Sequence, residues 1–411
     1  MAIIEINNFM KKIIFSVISF ATIFGLTFLA ARPNFSAAQI KDGVSRKIVV
    51  FRAGLNDSAK DGIIRWAGGV KLKNLKLIGA EAIRVPSRAA AEKLKTHPDV
   101  ARVDEDAEVF ALQYEERNAG IKKITQSSQL LPWGIDRIDA ELVWPGGNTA
   151  DPINIGIIDT GISNRHSDLS ANVKGGMNAI NPRKSWNDDN GHGSHIAGII
   201  AALDNAIGVV GAGPKADLYA IKVLNAAGSG YLSDIIEGVQ WAVNNHIQVV
   251  NMSLGTNSDV QSFHDAVAAA KNAGVVVVAA AGNSGGSVIF PAAYPETIAV
   301  SATDQNNVIA GWSSRGSEVD LAAPGVSIYS TYKGGGYATL SGTSMAAPHV
   351  AGSAALVLSM PVGAYDANAN EKWDPDEVQK KLQDRAADLG NTGFDNLYGW
   401  GLVNAYSAAQ P

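Results

Sequence analysis

A chain of 411 residues is too long for one ordinary domain and long enough to bury a large core. Its 46% hydrophobic and 18% charged residues exclude a chain that is disordered or fibrous throughout. A net charge of −5 without a basic block argues against nucleic acid, and the lack of cysteine excludes a thiol nucleophile, a thiolate metal site and a disulfide framework.

The first element is apolar. Lys11 and Lys12 precede a run from Ile13 to Ala31, with small residues near Ala30–Ala31 and Ala37–Ala38. This order reads as a secretory signal over 1–38. A run of about 19 apolar residues is also long enough for a retained single-pass anchor. With the signal removed, no later run has the length of a span, which predicts a secreted, extracellular protein with no membrane attachment.

Residues 39–115 read as a small unit of their own. Strand-like Lys47–Arg52, helical Ala59–Ala67, strand-like Leu75–Ile83 with a glycine break, helical Ser87–Thr96 and strand-like Val103–Leu112 give a βαββαβ-like α+β module. The polar stretch that follows, taken as 116–127, reads as a linker with a processing site. From 128 to 411 the pattern changes. Apolar runs at Ile153–Ile158, Leu218–Val223, Val249–Leu254, Val275–Ala280 and Ile298–Ala302 alternate with helical stretches at Gly193–Ala202, Ser233–Asn245, Val260–Asn272 and Ser344–Leu358. Strands that are apolar without alternation, separated by helices, predict an α/β fold with a parallel sheet sandwiched between helices.

Three segments in this region carry chemistry. Asp159 follows an apolar strand in Ile-Gly-Ile-Ile-Asp-Thr-Gly, and strand ends of open α/β sheets are where ligands sit. His192 and His195 open a helix of small residues. Neither belongs to a His-Glu-x-x-His zinc pattern. Ser344 begins a helix after Gly342 and Thr343, so its N–H and the helix dipole favour negative charge at its hydroxyl. A serine hydroxyl is a poor nucleophile at neutral pH and needs a base and a group that orients the base. The order Asp, His, Ser is one of the orders in which that constellation occurs. Gly-Thr-Ser-Met-Ala is not the Gly-x-Ser-x-Gly turn of an α/β-hydrolase.

With Asp-Thr-Gly, His-Gly-Ser-His-Ile-Ala-Gly and Gly-Thr-Ser-Met-Ala-Ala-Pro-His in this order, the chain resembles the subtilisin-like serine proteases, or subtilases, over about 128–404. The resemblance implies a serine endopeptidase acting on polypeptides through an acyl-enzyme, with Asp159, His192 and Ser344 as catalytic residues. It selects His192 over His195 as the base. It implies an oxyanion site of Asn283 and the Ser344 N–H, with Thr343 behind it. Two substrate-flanking segments follow, Ser253-Leu254-Gly255 and Gly228-Ser229-Gly230. Because Ser284 and no acidic residue follows Asn283, strong preference for Lys or Arg is not expected.

The same resemblance implies a strong Ca²⁺ site of Gln129, Asp168, Leu203, Asn205, Ile207 and Val209, a cis Phe290–Pro291 bond, and a weak cation site at Ala292, Tyr294 and Asp320. By spacing alone, Asp366, Asn368, Asn370, Asp374 and Glu377 fall on an EF-hand-like loop, with Glu371 where glycine is expected. The alternative there is a helix start at Asp374-Pro375-Asp376-Glu377. Residues 39–115 resemble the family's inhibitory propeptide, which blocks the cleft, templates folding and is removed by the enzyme itself. Gln129 is then expected to reach its cation site only after cleavage. The family favours a monomer. A silent peptide-binding scaffold and a dedicated processing protease are the other classes; the intact triad argues against the first, and the lack of acidic pocket residues or an added domain against the second.

Overall fold

The computed structural model describes residues 44–113 and 128–411, so the expected signal and linker lie outside the described residues. The small module runs β1 (Ser45–Phe51), α1 (Asp57–Trp66), β2 (Val70–Leu75), β3 (Ala80–Val85), α2 (Arg88–Lys95), β4 (Val100–Glu105) and β5 (Glu108–Ala111). Its first four strands form an antiparallel sheet in the order β2-β3-β1-β4. Two readings change here. Leu75–Ile83 is a hairpin whose turn places Gly79 at φ +65°, and Val103–Leu112 is two strands that enter different sheets. One face of the module sheet has its own core, with Val49, Phe51, Ile83 and Val85 packed against α1 and α2.

The larger part contains α3 (Trp133–Arg137), β6 (Asn154–Asp159), β7 (Val173–Asn178), α4 (His192–Ala201), β8 (Asp217–Lys222), β9 (Ser229–Tyr231), α5 (Leu232–Asn244) and β10 (Val249–Met252). After it come β11 (Leu254–Gly255), α6 (Gln261–Asn272), β12 (Val276–Ala280), β13 (Ile298–Thr303), β14 (Leu321–Pro324) and the hairpin β15 (Ile328–Tyr332)–β16 (Gly336–Leu340). The helices α7 (Thr343–Leu358), α8 (Pro375–Asp384) and α9 (Ala405–Ala408) close the chain. Seven strands pair in parallel in the order β14-β13-β12-β10-β6-β8-β7.

The strands are apolar without alternation because both faces are covered. Val276, Val278, Ile298 and Val300 face a core shared with α4 and α7, while Val275, Val277 and Ala299 face one shared with α5 and α6. Ile48, Leu75, Ala80 and Ala82 of the small module belong to that second core. The module also supplies helix caps. The first backbone N–H groups of a helix have no partner inside it and attract negative charge. Asp106 accepts from Ser233 N and Oγ, both at 2.8 Å, in the first turn of α5. Asp104 accepts from Ser262 N at 3.1 Å and from Ser262 Oγ in the first turn of α6, where Val260 has no capping side chain. Ion pairs from Lys73 to Asp234 (2.9 Å) and from Arg102 to Asp265 (2.6 Å) flank these caps.

Candidate active site

Asp159 is the last residue of the interior strand β6, Ser253 follows its neighbour β10, and Asn283 lies just beyond the next strand, β12. The site therefore sits at the carboxyl ends of parallel strands. Helix α4 reaches this edge because residue 193 is glycine: a Cβ there would stand 2.2 Å from the Gly161 carbonyl oxygen. The contact lets His192 Nδ1 lie 2.8 and 2.9 Å from the two oxygens of Asp159, with both residues buried. Since a carboxylate only accepts, Nδ1 carries the hydrogen and Nε2 is left as an acceptor. His192 Nε2 is buried and has no hydrogen-bond partner among the described residues.

Asp188 fixes the approach to α4, and sequence reasoning did not single it out. Its buried carboxylate accepts from Thr160 Oγ1 (2.9 Å), Asn190 N (2.9 Å), Gly191 N (2.8 Å), Ser194 N (2.9 Å) and Ser194 Oγ (2.6 Å). It thus ties the residue after Asp159 to the residues around His192. His195 faces away from this edge. Its Nε2 donates to the carbonyls of Ile328 (3.1 Å) and Ala338 (3.0 Å), and burial pushes its pKa down to about 3. It is a neutral side chain that pins α4 to the β15–β16 hairpin.

Strand β5 lies between β11 and β9 as the middle strand of an antiparallel sheet. It is held by both expected substrate-flanking segments. Ala111 N donates to Gly228 O (2.9 Å) and Leu112 N to Ser253 O (3.1 Å), while Val109 and Phe110 pair with Gly230 and Ser229. Leu254 and Gly255 pair with Ala111 and Phe110. The strand delivers the Leu112 carbonyl to Asn283, whose Nδ2 donates to it at 2.7 Å. The amide of Asn283 is oriented from behind, because its Oδ1 accepts from Thr343 N and Thr343 Oγ1, both at 2.9 Å. Ser344 is fully buried at the start of α7, and its Oγ donates to Ser253 O at 3.0 Å.

The residues of the expected strong cation loop are linked by hydrogen bonds among themselves. Gln129 Nε2 donates to Leu203 O (3.0 Å), Leu130 N to Gly208 O (2.8 Å), Asn205 Nδ2 to Asp168 Oδ1 (2.8 Å) and Val209 N to Asp168 Oδ2 (2.8 Å), with Ile207 N on Asn205 Oδ1 (2.7 Å). Asp168 is fully buried, with no ion pair among the described residues, and burial holds its pKa above the usual carboxylate range. A carboxylate with amide and carbonyl oxygens is a donor set of the kind that suits a hard cation, and here those oxygens accept from the loop's own N–H groups and from Tyr337. Gln129 occupies this loop in the uncut chain while Leu112 occupies the cleft. The expectation that it arrives only after cleavage is therefore corrected.

Among the described residues, no group of three or more His, Cys, Asp or Glu side chains is placed to hold a metal. Asp366, Asp374 and Glu377 spend their oxygens on the loop's own amides, from Asn370 N, Glu371 N, Asn370 Nδ2, Ala367 N and Asp374 N. Asn368 also bonds Asp374, and Asp374 and Glu377 form a capping box for α8. Glu371 nevertheless takes φ +60°, the conformation expected of glycine at that position. Asp320, whose pKa burial raises to about 6, accepts from Ala299 N, Gln379 Nε2 and Gln383 Nε2 (2.8, 2.8 and 2.9 Å). The carbonyls of Ala292 and Tyr294 both accept from Thr297 Oγ1. The Phe290–Pro291 bond is cis, and so is Asp151–Pro152.

Residues 150–401 match the model of the subtilase family. The chain is 45% identical to the M-protease of Shouchella clausii over 320 residues, which is 78% of this chain and 76% of that protein. It is 48% identical to Subtilisin Savinase of Lederbergia lenta over 284 residues, 69% of this chain and all of the relative. Subtilisin E of Bacillus subtilis is 40% identical over 396 residues, covering 94% and 96% of the two chains.

Proposed function

The chain belongs to the subtilase family and is a serine-type endopeptidase, and on that premise we propose that Asp159, His192 and Ser344 perform the cleavage and that the chain first cuts itself after Leu112. The observation that carries this reading is the bond from Asn283 Nδ2 to the Leu112 carbonyl, with β5 gripped on both sides. Attack begins when Ser344 Oγ leaves the Ser253 carbonyl and turns to His192 Nε2. His192 takes the hydroxyl proton while Oγ bonds to the Leu112 carbonyl carbon. Asp159 holds the ring in the Nδ1–H tautomer and stabilises the imidazolium. Negative charge grows on the Leu112 oxygen, where the Asn283 amide already points. His192 then protonates the Gln113 nitrogen, the peptide bond breaks, and water removes the acyl group from Ser344.

In this reading the product is a secreted, calcium-stabilised enzyme that acts on polypeptides as a monomer, with 39–112 as its folding template and inhibitor. The expected processing zone at 116–127 lies outside the described residues; Leu112–Gln113 is the bond held at the candidate site. Gln129, Asp168, Leu203, Asn205, Ile207 and Val209 would hold Ca²⁺, which would supply rigidity and take no part in bond cleavage. The test is to incubate the purified full chain with Ca²⁺ or EDTA and follow mass and melting. A new terminus at Gln113 is expected. Ligand at about 100 times its Kd adds about 2.7 kcal/mol, or about 4–5 °C in Tm for a domain of this size. Asp168→Asn should erase that difference. A first cut within 116–127 with no Gln113 terminus would overturn the assignment of the bond.

The helix caps make a second expectation. Each cap and its hydrogen bonds to charge are worth about 1–2 kcal/mol. Replacing both Asp104 and Asp106 by alanine should weaken the hold of the cut module by about 2–4 kcal/mol, or ~30- to ~700-fold. In the full chain this would appear as a shortened lag before activity. An unchanged lag would remove the caps from the inhibitory contact.

A further inference from the structure

Helix α7 has a proline inside it, Pro348. In an α-helix the carbonyl of residue i accepts from the N–H of residue i+4, and proline has no N–H. Four residues before Pro348 stands Ser344, so the carbonyl of the nucleophile's own peptide has no i+4 donor. Ser344 is fully buried, where an unpaired carbonyl is costly. The missing donor comes from outside the helix: Ser253 Oγ lies 2.9 Å from the Ser344 carbonyl oxygen. A carbonyl can only accept, so the Ser253 hydroxyl hydrogen is committed to it. The same hydroxyl oxygen accepts from Asn251 Nδ2 at 2.9 Å, and Asn251 and Ser253 are fully buried.

The two serines are bridged in both directions. Ser253 Oγ holds the Ser344 carbonyl, and the Ser253 carbonyl receives Ser344 Oγ (3.0 Å) together with Leu112 N (3.1 Å). One residue at the end of β10 therefore grips both the peptide strand in the cleft and the peptide of Ser344. We propose that the Ser253 hydroxyl is a positioning group for catalysis: it replaces the N–H that Pro348 lacks and sets the distance between Ser344 and the carbonyl under attack. The proposal rests on the reading of Ser344 as nucleophile. A misplacement of about 1 Å at such a site costs about 10²-fold in rate.

The experiment is a double-mutant cycle on the full chain, read on a peptide substrate and normalised by active-site titration. Ser253→Ala keeps the backbone that binds substrate, so kcat should fall about 10- to 100-fold while KM moves less than about threefold. Pro348→Ala restores an N–H that can reach the Ser344 carbonyl. In that background Ser253→Ala should cost less than about threefold. Equal losses in the two backgrounds, an unchanged kcat, or a loss confined to KM would overturn the proposal. If Ser253→Ala alone does not fold, recovery of folded, titratable enzyme in the double variant supports it, and failure of both overturns it. Full activity in Ser344→Ala would sink the triad reading on which it stands, a result the cycle does not mimic.

Discussion

Replacing Ser344 by alanine should leave the full chain as one uncut polypeptide and lower peptide hydrolysis by about 10⁶-fold. That magnitude is the one given for the equivalent loss in subtilisin, a relative. The reason lies in the geometry. Ser344 Oγ is a buried hydroxyl on the Ser253 carbonyl that also accepts from Leu112 N, while Asn283 Nδ2 donates to the Leu112 oxygen. Without it no covalent intermediate forms, and His192 Nε2 has no proton to take. His192→Ala should cost about as much, and the pair no more than either alone, because they act as one unit. The alanine chain should still hold β5 in the cleft, since backbone bonds to Gly228 and Ser253 do not involve the hydroxyl. The check is mass spectrometry over days beside the wild type. A Gln113 terminus produced by the alanine chain alone would place the self-cleavage chemistry elsewhere.

Asn283→Ala should lower kcat by about 10²–10³ and leave KM within a few-fold. In the proposed reaction the oxygen to which the side chain donates is the one on which charge would develop, so its contribution would grow from ground state to transition state. Its orientation is built in. Thr343 N and Thr343 Oγ1 both bond Asn283 Oδ1, which leaves Nδ2 facing the cleft. Thr343→Ala removes one of those two bonds and should show the same pattern at smaller size. Steady-state kinetics on the mature enzyme separates the terms. A rise in KM at constant kcat would make Asn283 a binding group and leave the oxyanion without its side-chain donor.

The sheet was legible where its strands are buried on both faces. β6, β10, β12 and β13 are short, mostly apolar segments rich in Val, Ile and Ala, and their shortness and β-branched content favour strand over helix. β7 escaped notice because its sequence is Val-Lys-Gly-Gly-Met-Asn. Gly176 is required there, since a Cβ would stand 2.2 Å from the Ala220 carbonyl oxygen of β8, and the glycine erases the apolar run that marks a strand. β4 and β5 read as one strand because nothing in Val-Asp-Glu-Asp-Ala-Glu-Val breaks an extended chain; the break at Asp106 serves the cap on α5, a contact 127 residues away. The candidates Asp159, His192, Asn283 and Ser344 could be named from the sequence because each sits in a contiguous motif, whereas Asp188 could not, because the groups it joins meet only in the folded turn. The bond between Ser253 and Ser344 was not legible, because the two are 91 residues apart and the reason for it is an N–H that is absent. In the loop from Asp366 to Glu377 the spacing of oxygens was legible, but which amides those oxygens serve is a property of the folded turn.

The middle position of β5 has a consequence for how activity would switch on. In the uncut chain the strand is tethered to its own cleft, so its local concentration is set by the length of the tether and does not change with the amount of protein. After the bond following Leu112 is cut, the same strand becomes a separate molecule that obeys mass action. In the proposed scheme the two pieces would stay paired and silent at high enzyme concentration. On dilution below their dissociation constant they part. The cut would then arm the enzyme without releasing it, and the volume into which it is exported would decide when it begins to act.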